Sequence, residues 1–238
     1  MRRKQWERVD LAENNNSRPR RSKIKILLVD DHPIIREHLG ELINRESDLA
    51  VCGEAVDASQ TLQAIATLKP DIVVLDLSLK GAHGTDLIKN IKIQYPRVPI
   101  LVLSMYDESL YASRCLRAGA RGYVNKQQDS DVVMAAIRHI LKGEIYVSEQ
   151  MSDKILKQFV TGLPPVTDEG IEKLSDRELD TFRMIGSGLS SSEIAAELNV
   201  SIKTVETYCK RLKEKLDLPA APDLHKAAVK WAKSSQIV

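Results

Sequence analysis

The chain has 238 residues, of which 43% are apolar and 29% charged, and carries a net charge of +2. This is enough for two ordinary domains, each with its own core. No apolar run nears the roughly 18 residues of a membrane span, and the first residues lack the apolar stretch of a secretory signal, so no membrane role is expected. Three cysteines, Cys52, Cys115 and Cys209, stand far apart without metal-ligand spacing. They predict reduced thiols in a cytoplasm.

Residues 1–22 hold seven basic and three acidic side chains, an Asn run and an Arg/Pro cluster, and no sustained apolar period. A disordered basic tail is expected there. From Lys23 strands and helices alternate. The run at 24–29 stops at Asp30-Asp31, and Pro33 opens a helix bearing Ile34, Ile35, Leu39, Leu42 and Ile43. A strand at 49–56 and a helix at 58–69 follow. The central strand, ending in Asp76, spans 71–76, and a helix covers about 84–95. The set closes with strands at 99–104 and 121–124 and helices at 107–118 and 130–142. Continuous apolar strands alternating with helices specify an α/β fold, a doubly wound five-stranded parallel sheet.

In such a sheet, ligands bind where the strands' carboxyl ends meet a switch in strand order. Asp30, Asp31, Asp76, Ser104 and Lys126 all fall at strand ends on that side. Three carboxylates held together repel unless a cation intervenes, and a hard divalent ion such as Mg2+ fits oxygen ligands with water and phosphate. With the charge offset, Asp76 can attack phosphorus, while Lys126 stabilises the transferred phosphoryl group and Ser104 donates to one of its oxygens.

The segments ILLVDDHP, IVVLDLSLKGAHG, ILVLSMYDE and AGARGYVNK resemble the receiver domain of two-component response regulators over residues 23–147. The resemblance implies a flavodoxin-like strand order 2-1-3-4-5. It implies Asp76 as phosphoacceptor, with Asp30, Asp31, Asp76 and the Ser78 backbone carbonyl serving Mg2+. Ser104 and Tyr123 would form the switch pair, Tyr123 turning inward, and Lys126 would contact phosphate. Lys80 departs from the family's usual proline. His32 and His83 are expected to have no phosphohistidine role.

Residues 148–172 contain TGLPPVTDEG and read as a linker after an extra helical turn or two. Residues 173–238 are helical throughout, with 11 basic and nine acidic side chains. Ser175 to Glu178 has capping-box form. Gly186 and Gly188 end that helix, a second covers 191–198, Ser201 caps a third at 202–216, and a last one covers about 223–233. The third helix, with Lys203, Lys210, Arg211, Lys213 and Lys215 against Glu206 and Glu214, suits the major-groove helix of a helix-turn-helix. The segment LSDRELDTFRMIGSGLSSSEIAAELNVSIKTVETYCKRLKEKLDL resembles the LuxR/FixJ-type DNA-binding domain. That resemblance carries base or phosphate contact onto Lys203, Thr204, Glu206, Thr207, Lys210 and Arg211. Tyr208 and Arg211 stand where the family usually has histidine and asparagine.

The joined expectation is a regulator of the NarL/FixJ type: a sensor histidine kinase phosphorylates Asp76, and a homodimer then binds promoter DNA. Two competitors are a phosphorylation-independent DNA binder with a vestigial receiver and an aspartyl-phosphate hydrolase. The second usually needs an acid two residues after its nucleophile. Ser78 stands there instead, so no enzyme is expected.

Overall fold

The computed structural model describes residues 23–79, 84–161 and 168–234. The expected N-terminal tail, Lys80 and His83 lie outside the described residues. The first half contains β1 (Ile24–Val29), α1 (Pro33–Arg45), β2 (Leu49–Ala55), α2 (Ala58–Leu68) and β3 (Ile72–Asp76). It continues with α3 (Gly84–Gln94), β4 (Ile100–Ser104), α4 (Glu108–Ala118), β5 (Gly122–Asn125) and α5 (Ser130–Leu141). The strands form one parallel sheet in the order β2-β1-β3-β4-β5, as expected. Every residue of β3 and β4 is buried, which is why these strands are unbroken apolar runs. The chain leaves β1 for β2 and then crosses back to β3, so a crevice opens beyond the carboxyl ends of β1 and β3.

Local chemistry fixes the helix ends. Asp57 caps α2 by accepting the Gln60 amide at 2.8 Å, and Asp107 caps α4 by accepting the Ser109 amide at 2.7 Å. α4 stops at Gly119, whose φ of 114° is open to glycine and strained for other residues.

The second half contains α6 (Glu149–Thr161), a 3-10 helix (Asp168–Lys173), α7 (Asp176–Gly186), α8 (Ser191–Glu197), α9 (Ile202–Lys215) and α10 (Ala221–Ser234). Capping boxes pair Ser175 with Glu178 and Ser190 with Glu193, and Ser201 caps α9. α6 is longer than the one or two turns expected from sequence, because the receiver half holds it. The Ser148 amide donates to Glu108 Oε1 at 2.8 Å, Met151 is buried, and Lys154 reaches the Ser109 carbonyl at 3.2 Å. Just before it, Tyr146 bridges the edge of β5, and its carbonyl accepts the Tyr123 amide at 2.9 Å. Gly122 makes that approach possible: a Cβ there would sit 2.9 Å from the Tyr146 carbonyl.

Helices α7 to α10 pack around Leu179, Phe182, Ile194, Val205, Leu212, Ala228 and Trp231. This cluster is continuous with the receiver core on the α3–α4 side. At its edge the buried Glu178 accepts the Ser175 amide at 2.7 Å and pairs with Lys215 at 2.6 Å. Burial opposes its charge, but Lys215 and Ser175 together hold its carboxyl below the usual glutamate range. A lowered native pKa adds stability that is present above the unfolded value and lost as pH falls through the native one. Replacing Glu178 with Gln should therefore lower stability by about 1–2 kcal/mol at pH 7 and progressively less below about pH 4. Urea unfolding at both pH values checks this; equal losses at the two would refute it.

Candidate functional site

Asp76 ends β3 with its side chain buried, and Lys126, just past β5, is buried beside it. The ammonium lies 2.9 Å from Asp76 Oδ2 and 2.6 Å from Asp30 Oδ2, joining two strands across the crevice. Two carboxylates and one ammonium leave a net negative charge in a place where desolvation is costly. Burial pushes the Asp76 carboxyl up; Lys126 pulls it back and Asp30 adds to the rise.

His32, for which the sequence reading expected no phosphohistidine role, stands among the carboxylates. Its amide donates to Asp30 Oδ1 at 2.8 Å, and its ring Nδ1 lies 3.1 Å from Asp30 Oδ1 and 3.0 Å from Asp31 Oδ1. Ligand atoms of Asp30, Asp31, His32 and Asp76 all fall within 4.8 Å of one another. Asp31 Oδ1 and Asp76 Oδ2 are buried oxygens that accept no aligned hydrogen bond; His32 Nδ1 lies 3.0 Å from the first and the Lys126 ammonium 2.9 Å from the second. Such a donor set suits a hard divalent cation. Ser78, the expected carbonyl ligand, follows on the same loop and donates its amide to Asp76 Oδ1 at 3.1 Å.

Ser104, at the end of β4, is fully buried, and its Oγ accepts the Tyr106 amide at 3.2 Å. Tyr123 already points inward: it is buried, and its hydroxyl donates to the Tyr106 carbonyl at 2.8 Å. Burial pushes its phenol well above the usual range. The same carbonyl accepts Asn125 Nδ2 at 3.2 Å.

At the other end of the molecule, α9 buries Val205 and Leu212 and turns Lys203, Glu206, Thr207, Lys210 and Arg211 to solvent. Thr204 is half-buried and hydrogen-bonds Ser201 through its hydroxyl. All six expected contact residues thus lie outside the helix's buried stripe. Cys209 is half-buried there, and burial raises its thiol, which suits an inert side chain.

The set that sequence reading missed joins the two halves. Arg114 of α4 donates to the Leu174 carbonyl at 2.8 Å and to Asp176 Oδ1 at 2.9 Å, while Thr85 of α3 donates to Asp176 Oδ2 at 2.7 Å. Tyr111 donates to Asp180 at 2.9 Å, and Arg183 donates to the Tyr106 hydroxyl at 3.0 Å with its guanidinium 4.4 Å from the ring centroid. These partners stand 60 to 91 residues apart. No local pattern could have announced them.

A parallel sheet with clustered carboxylates and a lysine at its switch point, joined to a helix-turn-helix with a cationic outer face, defines a receiver coupled to a DNA-binding domain. The model of the response regulator receiver domain matches residues 26–138, and that of the luxR family of bacterial regulatory proteins matches residues 172–228. An oxygen regulatory protein NreC of Staphylococcus haemolyticus is 33% identical over 211 residues, covering 87% of this chain and 97% of that protein. RcsB of Salmonella enterica serovar Typhimurium, solved on promoter DNA with the phosphomimetic BeF3-, is 27% identical with a TM-score of 0.62; the match covers 87% of this chain and 98% of that one. A LuxR-family response regulator from an Aurantimonas species is 37% identical with a TM-score of 0.54, over 58% of this chain and 99% of that one. The chain belongs to the two-component response regulators of the NarL/FixJ type, and it controls transcription through a LuxR-type DNA-binding domain.

Proposed function

We propose that Asp76 accepts a phosphoryl group from a phosphohistidine of a sensor kinase, and that this modification controls promoter binding. The observation that carries the reading is the buried Asp76 carboxylate at the carboxyl end of β3, with Lys126 at 2.9 Å. The Asp76 carboxylate attacks phosphorus, the phosphorus–nitrogen bond breaks, and the imidazole leaves with the electron pair. Lys126 offsets charge on the phosphoryl oxygens, and Ser104 donates its hydroxyl to one of them. Asp30, Asp31, Asp76 and the Ser78 carbonyl would hold Mg2+, which when bound supplies positive charge to the transferring group. Tyr123 completes the switch pair with Ser104.

Residues 23–147 form the receiver, 148–172 the linker and 173–238 the DNA-binding domain, after a basic tail at 1–22. The face of α9 is exposed while α7 is docked on α3 and α4. Docking therefore acts by limiting where two such domains can stand in a homodimer on paired half-sites, rather than by covering the helix. No helix among the described residues is long and apolar enough to cross a membrane, which fits a regulator working in the cytoplasm beside DNA. Ser78, in place of a second acid, disfavours an aspartyl-phosphate hydrolase.

Fluorescence anisotropy on promoter fragments, with and without acetyl phosphate and Mg2+, tests the coupling. Phosphorylated protein should bind about 10-fold more tightly, within the usual range of coupling between sites. Equal affinities would instead select the regulator with a vestigial receiver.

A further inference from the structure

Tyr106 has every polar group committed, and to both halves of the molecule. Its amide donates to Ser104, and its carbonyl accepts from Tyr123 and Asn125. Its hydroxyl accepts from Arg183 of α7 at 3.0 Å. The ring is held between the Arg183 guanidinium, 4.4 Å from its centroid, and the Tyr111 ring at 4.8 Å. One side chain of the DNA-binding domain thus stands a single residue, Tyr106, away from Ser104 and Tyr123.

We infer that Arg183 is a positioning residue for phosphoryl transfer: through Tyr106 it holds the Ser104–Tyr123 segment in its docked arrangement and slows modification of Asp76. The inference rests on the reading of Asp76 as phosphoacceptor. For Ser104 Oγ to turn to a phosphoryl oxygen it must give up the Tyr106 amide, and Tyr106 is held in place by the Arg183 hydrogen bond to its hydroxyl and the guanidinium against its ring. The clamp is releasable. Arg183 Nε is buried without an acceptor, and an unpaired buried donor penalises the docked state. Coupling between equilibria is reciprocal, so to the extent that docking disfavours the phosphorylated receiver, phosphorylation disfavours docking by the same factor.

The test is the rate of phosphoryl uptake from acetyl phosphate by the full chain with Mg2+, read by intact-protein mass. Parent, Arg183→Ala, Tyr106→Phe and the double variant are compared. Tyr106→Phe keeps the ring and its stacking and removes only the hydroxyl, so it reports even where Arg183→Ala fails to fold. Each single change should speed uptake about 5-fold or more. The double variant should be no faster than the quicker single, since both break one link. A merely structural Arg183 would lower thermal stability without changing the rate. Single variants with the parent's rate, or effects that multiply in the double, overturn the inference while leaving the phosphoacceptor reading intact. A parent that takes up no phosphoryl group overturns both.

Discussion

Incubated with acetyl phosphate and Mg2+, the protein should gain the mass of one phosphoryl group, and Asp76→Asn should gain none. An amide has no anionic oxygen to attack phosphorus, and the substitution is close to isosteric, so the fold should survive. The neighbouring acids do not take over. Asp30 is held on one oxygen by Lys126 at 2.6 Å and on the other by the His32 amide at 2.8 Å, while Asp31 faces the His32 ring at 3.0 Å. Chelating the metal should abolish uptake in the parent as well, because three carboxylates would then confront an anionic donor with Lys126 alone. Lys126→Ala removes that ammonium and leaves Asp30 and Asp76 facing each other; uptake should slow by about 10-fold or more without vanishing. A phosphoryl adduct that persists in Asp76→Asn would displace the phosphoacceptor to another residue. An adduct insensitive to chelation would remove the metal from the reading.

How much of this was legible in the sequence depends on the range of the interaction. The runs ending at Val29, Asp76 and Ser104 announce parallel strands because both sheet faces are covered, and they set Asp30, Asp76 and Ser104 on one rim. Ser175 and Ser201 announce helix starts because a capping hydroxyl and its amide are three residues apart. The length of α6 was not legible, since its outer face exposes Leu156 and Val160 and its contact with α4, distant in sequence, helps to hold it. Arg114, Asp176, Asp180 and Arg183 each look like ordinary charged helix residues. Their roles arise when α7 meets α3 and α4, and that pairing is written in the fold rather than in any spacing. For His32, nearness to the carboxylates follows from its place beside Asp31; that its ring Nδ1 stands 3.1 Å from Asp30 and 3.0 Å from Asp31 comes from the turn after β1.

The second large effect is expected at α9. Lys210→Ala with Arg211→Ala should weaken promoter binding about 30-fold near 0.15 M salt and lower the slope of log affinity against log salt by about 2, one unit per phosphate contact. Both side chains are exposed, and the helix is anchored from its other side by Val205 and Leu212, so the loss falls on binding rather than folding. Alanine also favours the helix, and the exposed Lys210–Glu214 pair at 3.9 Å contributes little. Thr207 lies on the same exposed side, its hydroxyl returned to the Lys203 carbonyl at 2.9 Å, which leaves its methyl group for an apolar contact such as a thymine methyl. Thr207→Ser should therefore reduce discrimination between promoter and random DNA while leaving the salt slope alone. The two signatures separate phosphate contact from base contact on one helix. An unchanged slope in the double variant would move the DNA-binding face away from α9, because no loss of cationic phosphate contacts can leave counterion release untouched.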